Sequence, residues 1–184
     1  MAFTGKRINV IGTSGSGKTT FARRIAEILG IPHFEMDALF WQPNWGETPR
    51  DEFRQKVREA LKGDAWTIDG NYSKVRDIVW ERADTVVWLD YPFPTVMGRV
   101  IWRTFKRGLL QEELWSGNRE RLWGNLFSKD SIIRWSMTTY WRRKRDYPIL
   151  IEMPENAHIN FIRLHSPKEG EAWLAWLAEE SGAQ

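Results

Sequence analysis

Cysteine is absent from the 184 residues, histidine occurs only three times, and apolar runs are short. Without cysteine there can be neither a disulfide framework nor a thiolate metal site, and the composition fits a reducing cytoplasm. His33, His158 and His165 are too scattered to suggest a metal centre. The longest apolar stretch, Ala172–Ala178, has seven residues, whereas a membrane span needs roughly 20. Met1–Lys6 has no signal-peptide pattern and leads directly into a strand, so a soluble cytoplasmic chain is expected. Internal repeats, low-complexity runs and long linkers are also missing, which leaves one domain over residues 1–184.

A strong overall charge is lacking too, since the net value is +3. That small number hides a segregation. Residues 1–97 hold 13 basic and 13 acidic side chains, residues 98–147 hold 12 and 5, and residues 148–184 hold 2 and 6. One segment of the chain carries the positive charge and must meet an anion.

Short β-branched or apolar runs alternate with longer amphipathic ones, the pattern of a parallel sheet covered by helices. The predicted strands are Ile8–Ile11, His33–Met36, Trp66–Ile68, Thr85–Leu89 and Asn160–Leu164. Helices are expected over Gly17–Leu29, from Pro49, over Val75–Arg82, Pro94–Arg107 and Ser131–Arg145, and finally over Pro167–Glu180. Trp41–Thr48 reads as a loop. The basic segment 98–147 then falls between the fourth and fifth strands, as an insertion.

The stretch Gly12-Thr13-Ser14-Gly15-Ser16-Gly17-Lys18-Thr19 fits the P-loop pattern GxxxxGK[ST] directly between a strand and a helix. A phosphate chain needs several converging backbone N–H groups, which only a glycine-rich loop can bring so close. Gly12 to Thr20 are therefore the candidate nucleotide-binding residues, with Thr13, Ser14, Gly15, Ser16 and Gly17 forming the cradle. Lys18 would reach the β- and γ-phosphates and Thr19 would ligate Mg²⁺. No Asp is followed by Gly three positions later and there is no Asn-Lys-x-Asp signature, so a GTPase is disfavoured. The length also excludes a motor. The pattern looks like that of a small kinase.

Two carboxylates end predicted strands, where an open parallel sheet holds its ligands. Asp69 reads as the acid that holds Mg²⁺ through water, and Asp37 as the group that orients or deprotonates an acceptor hydroxyl. Either could instead initiate a turn. Asp90 is a third strand-end acid, with a turn role favoured by Pro92. Trp41 and Trp45 follow Asp37 and could stack on an acceptor or pack the next helix; with Asp37 and Asp69, the neighbouring Asn71 and Tyr72 complete the candidate substrate-contacting residues. Trp66, Trp80, Trp88, Trp173 and Trp176 read as core.

Arg99, Arg103 and Arg107 recur every four residues and would share a helix face. Together with Arg119, Arg121 and the run Arg142–Arg145, they suit a transferring phosphoryl group, whose charge a guanidinium fork matches. Arg103, Arg119 and Arg142 are the candidates for that catalytic role. A second reading uses the same segment, with its Trp102, Trp115, Trp123, Trp135 and Trp141, to bind nucleic acid. The helical spacing of these tryptophans predicts that most of them bury.

The P-loop, Trp66-Thr67-Ile68-Asp69-Gly70 and the arginine-rich insertion resemble adenylate-kinase-like small-molecule kinases. Phe34-Glu35-Met36-Asp37, Trp41-Gln42-Pro43-Asn44-Trp45, Asp69-Gly70-Asn71-Tyr72, Val87-Trp88-Leu89-Asp90 and Glu113-Leu114-Trp115-Ser116-Gly117-Asn118-Arg119-Glu120 are more closely similar to the bacterial DNA topology modulation, FlaR-related group. The resemblance implies a P-loop α/β three-layer sandwich. Its five-stranded parallel sheet would have the order 2-3-1-4-5, with a helical lid between strands 4 and 5 and adenine near His165-Ser166-Pro167. It implies ATP and Mg²⁺ as cofactors and a nucleoside, nucleotide or hydroxylated metabolite as acceptor. Asn71-Tyr72 stands where adenylate kinases have aromatic-Pro-Arg, and only about one helix separates strands 2 and 3. Both departures disfavour AMP as that acceptor.

Overall fold

A computed structural model describes residues 3–110, 114–118 and 132–182. Arg119, Arg121 and Trp123 lie outside the described residues, as does the side chain of Arg107.

Five strands form one parallel sheet: β1 (Arg7–Gly12), β2 (His33–Glu35), β5 (Trp66–Asp69), β6 (Thr85–Leu89) and β7 (Asn160–Leu164). Their order across the sheet is β2-β5-β1-β6-β7, which is 2-3-1-4-5 when only these five are counted. Ile8 and Val10 of β1 point to one face, where they pack with Phe21, Ala22 and Ile25 of α1 (Lys18–Leu29). Leu174 and Leu177 of the last helix, Pro167–Ser181, complete that layer. Ile11, Trp66, Ile68 and Val86 meet α3 (Arg50–Ala60) and α4 (Arg76–Arg82) on the other side, through Phe53, Val57, Ile78 and Val79. This alternation along the strands, with helices covering both faces, produces the three layers.

The helix ends follow local chemistry. Gly30 closes α1 in the left-handed conformation, with φ 65°, and its N–H reaches Ala26 O. At Pro167–Ser181, Ser166 Oγ accepts from Glu169 N at 3.2 Å while the Glu169 carboxylate accepts from His165 N at 2.8 Å. These two bonds, with Pro167 at the first helical position, cap the start of the helix.

Several sequence expectations are corrected. Asp37 does not end a strand. It lies in the first turn of α2 (Met36–Phe40), because Met36 and Phe40, four apart, must both enter the core. The expected loop after it contains a small hairpin, β3 (Trp41–Gln42) with β4 (Gly46–Glu47), turned through Asn44 and Trp45 at φ 58°. Among the described residues, the α-helices between β6 and β7 are α5 (Phe93–Leu110) and α6 (Ile132–Ile151), and α6 continues past Arg145 and through Pro148. Pro148 forfeits one helical hydrogen bond. Burial of Tyr147 edge-on against Trp88, at 5.3 Å, holds the helix across it.

The tryptophans also sort differently from expectation. Trp66, Trp80 and Trp88 are buried, but Trp176 is exposed. Trp102, Trp135 and Trp141 stay exposed as well, because buried Thr104 on α5 and Ser136 and Thr139 on α6 occupy the inward positions of these helices. No helix among the described residues is long and apolar enough to cross a membrane.

Candidate active site

Strand β1 delivers the P-loop to the carboxyl edge of the sheet. Gly15 has φ 85°, and a Cβ there would stand 2.6 Å from Val96 O and from a Val100 methyl of α5. Gly17, at φ 88°, turns the chain into α1. Only glycine meets both demands without strain. No side chain caps the start of α1 and its first turn holds no acid, an arrangement that suits an anion at this helix end.

Two arginines of α5 bend over this loop. Arg99 Nη1 donates to Ser16 O at 3.2 Å and Arg103 Nη2 donates to Ser14 Oγ at 2.7 Å. Their spacing of four residues puts both on one face of the helix. Asn71 braces the loop from the other side. Its Oδ1 accepts from Gly12 N at 3.1 Å and its amide donates to Gly12 O. The structure thus employs both polar atoms of Asn71 in holding the P-loop, whereas the sequence reading gave it to substrate.

Asp69 is buried at the end of β5. Its Oδ2 accepts from Thr19 Oγ1 at 2.7 Å, and its Oδ1 lies 3.0 Å from His33 Nε2. His33 was not foreseen; its position beside Asp69 follows from the parallel pairing of β2 with β5, in which Glu35 is opposite Asp69. Among the described residues no three metal-ligating side chains cluster. A Thr hydroxyl with one carboxylate still suits Mg²⁺, which keeps waters and takes most of its remaining oxygens from phosphate.

Across the site, Asp37 Oδ1 accepts from the Tyr72 hydroxyl at 2.5 Å. Burial, then the Asp37 charge and this hydrogen bond, push the Tyr72 phenol far above its ordinary range, so it remains a donor. Phe40, Phe53 and Tyr72 pack ring against ring at 4.7–5.3 Å and fix the donor in place. Trp41 packs edge-on against Phe40 at 5.0 Å, which supports the packing role for it, while Trp45 is more exposed and open to contact.

Lys18 joins the two halves. Burial lowers its pKa from the usual lysine value, the Asp37 and Asp69 carboxylates oppose that fall, and the Arg143 and Arg103 guanidiniums add to it. Of the basic run on α6, it is therefore Arg143 that shares this space. Burial lowers its pKa as well, Tyr147 opposes, and its Nη1 is buried with no hydrogen-bond partner among the described residues. Arg142, the sequence choice, is exposed to solvent. A signal was available: Arg143 and Tyr147 are four apart, so an inward aromatic marks the inward arginine. Lys144 turns instead to buried Asp90, at 3.2 Å, which also accepts from Arg163 Nη2 at 2.6 Å. Asp90 thereby ties α6 to β6 and β7.

No protein-family model matches the chain. It is 37% identical to the cytidylate kinase of Nitratidesulfovibrio vulgaris over 67 residues, and the match covers 35% of this chain and 29% of that protein. With the shikimate kinase of Synechococcus elongatus the identity is 28% over 136 residues, covering 66% of this chain and 71% of that protein. The chain thus spans less than a third of the cytidylate kinase it matches. Among solved structures, a gluconokinase from Sinorhizobium meliloti superposes with a TM-score of 0.52 at 22% identity, over 97% of this chain and 96% of the other. The fold is that of the small P-loop kinases. The resemblance to the topology modulation group finds no support in these comparisons, and neither does nucleic acid as a partner.

Within a P-loop kinase fold three of the described arginines of the basic segment acquire a direction. Arg99, Arg103 and Arg143 turn toward the phosphate loop and Lys18. Part of the charge segregated in the sequence is thereby gathered beside the P-loop and Lys18.

Proposed function

We propose that the protein is an ATP- and Mg²⁺-dependent kinase that phosphorylates a hydroxyl group of a small acceptor. The supporting observation is that the P-loop meets two carboxylates: Thr19 Oγ1 donates to Asp69 Oδ2 at 2.7 Å, and the charges of both Asp69 and Asp37 act on the Lys18 ammonium. A donor phosphate on the P-loop and an acceptor beside Asp37 would then meet within reach of a single ammonium group. We assign Gly12–Thr20 to the phosphates of ATP, and Thr19 with Asp69 to Mg²⁺, which when bound neutralises phosphate charge. Residues 1–184 act as one kinase domain with 98–147 as its basic insertion.

In this reading Asp37 takes the proton of the acceptor hydroxyl as that oxygen bonds to the γ-phosphorus. The bond from phosphorus to the β,γ-bridging oxygen breaks and ADP leaves with the electron pair. Tyr72 occupies Asp37 Oδ1 and thereby aims Oδ2 at the acceptor. Arg103 and Arg143, with Lys18, hold the charge that spreads over the transferring group. Arg143 replaces Arg142 in this role.

The names of similar proteins supply the acceptors to test: shikimate, gluconate, CMP and AMP. Each is incubated with Mg·ATP and the products are followed by phosphorus NMR. The proposal expects one acceptor class to yield a phosphorylated product and stoichiometric ADP. Failure to bind Mg·ATP by calorimetry would overturn it.

A further inference from the structure

The Leu114–Asn118 turn, part of a sequence block whose purpose the phosphate site does not explain, binds the hairpin that follows Asp37. Ser116 Oγ donates to Trp41 O at 2.8 Å. Asn118 Nδ2 donates to Gln42 O at 2.9 Å and to Trp115 O at 2.8 Å, while Asn118 Oδ1 accepts from Trp45 N at 2.8 Å. Trp115 Nε1 donates to Glu35 Oε2 at 3.0 Å, and Arg23 of α1 holds the other Glu35 oxygen, also at 3.0 Å. Three side chains of one turn thus hold backbone groups or a carboxylate on both sides of Asp37.

Asn118 is central to this contact. It is buried, and its amide both donates and accepts, so it can hold a carbonyl and an N–H of the hairpin together. The hairpin needs such a hold. Asn44 and Trp45 both have φ 58°, and a left-handed tryptophan is costly unless its surroundings fix it. The Trp45 N–H that this conformation presents is the one Asn118 captures. The turn itself is closed by Leu114 N donating to Asn118 O at 2.7 Å, with Gly117 at φ 76°.

We propose that Asn118 is a positioning residue for the acceptor: it fixes the Trp41–Glu47 hairpin beside Asp37 and makes the Leu114–Asn118 turn a wall of the acceptor pocket. This rests on the kinase reading above. The connection between β6 and β7 then serves both substrates, with Arg99 and Arg103 over the donor phosphates and Asn118 on the acceptor side.

The test compares the full chain with Asn118→Ala and Asn118→Asp. Amide exchange by NMR is the first measurement. In N118A the amides of Trp41, Gln42 and Asn44–Glu47 should exchange about tenfold faster while those of α1 are unchanged, since only the hairpin opens. Asp offers no donor and sets a carboxylate oxygen against both Gln42 O and Trp115 O, so N118D should open the same residues at least as far as N118A. The stabilisation by Mg·ATP should be the same in all three proteins. With whichever of shikimate, gluconate, CMP or AMP the parent phosphorylates, N118A should raise the acceptor KM about tenfold and leave the ATP KM unchanged.

Exchange at those hairpin amides in N118A within about twofold of the parent would overturn the proposal, as would an equal loss of ATP and acceptor affinity. Should N118A fail to fold, Ser116→Ala, which removes only the bond to Trp41 O, should give a smaller opening of the same residues, and no opening would overturn the proposal. A parent that neither binds Mg·ATP nor phosphorylates any acceptor would defeat the kinase reading. The exchange data would still decide whether Asn118 holds the hairpin.

Discussion

Tyr72 and Asp37, 35 residues apart, meet in a hydrogen bond of 2.5 Å from the phenol to Oδ1 of the carboxylate. The phenol is held by Phe40 and Phe53, so the carboxylate inherits the rigidity of an aromatic cluster. A residue on a five-residue helix is thereby held in one orientation.

Removing the carboxylate charge should stop transfer without releasing ATP. Asp37→Asn is expected to lower kcat by about 10²–10⁴-fold, the usual contribution of a general base, with the Mg·ATP dissociation constant nearly unchanged. Tyr72→Phe should cost about tenfold in kcat/KM for the acceptor. Steady-state kinetics together with calorimetry separate these effects, and a large loss of ATP affinity in D37N would remove Asp37 from the acceptor side.

The Thr19–Asp69–His33 chain makes a prediction about metal dependence. Thr19→Ala and Asp69→Asn should raise the Mg²⁺ concentration needed for half-maximal activity by about tenfold or more, and His33→Ala by less, because His33 acts only through Asp69. A Mg²⁺ titration at saturating ATP checks this. An unchanged Mg²⁺ requirement in D69N would place the metal elsewhere.

Neighbouring arginines on α6 should behave oppositely. Arg143→Met should reduce kcat by about 10³-fold, in the range for an arginine on the transferring phosphoryl, whereas Arg142→Met should stay within about twofold. Equal losses in the two variants would mean that the run acts as a diffuse positive surface.

Stability at high pH should reveal Tyr91. Burial is the first cause that lifts its phenol, to about 12, with Arg99 opposing and Glu171 and Glu169 assisting. A folded-state value above the unfolded one of about 10 means the stabilisation is complete below pH 10 and is lost as pH rises from 10 toward 12. The wild type should therefore lose stability relative to Tyr91→Phe by about 1.4 kcal/mol per pH unit in that window. Denaturant melts at pH 9, 10 and 11 measure the difference, and parallel curves would contradict it.

Much of this was legible in the sequence because the signals are local. The P-loop spacing, the β-branched run Thr85–Leu89 and the start of the last helix at Pro167 each lie within a few residues of chain. The order 2-3-1-4-5, in contrast, came from resemblance and has its physical basis in long-range packing. What the sequence hid depends on tertiary context. Asp37 moved from a strand end to a helix because Phe40 needed the core, and the tryptophans of α5 and α6 stayed outside because Thr104, Ser136 and Thr139 face inward. The His33–Asp69 and Asn118–Trp45 contacts join residues 36 and 73 apart, beyond any pattern of spacing.

The central claim is that Lys18 in the P-loop binds the phosphates of a nucleotide. Thermal unfolding of the wild type and of Lys18→Ala, with and without Mg·ATP, tests it most directly. At 100 times the dissociation constant, Mg·ATP should stabilise the wild type by about 2.7 kcal/mol. The same addition should leave Lys18→Ala unmoved, and stabilisation of that variant equal to the wild type's would contradict the phosphate site.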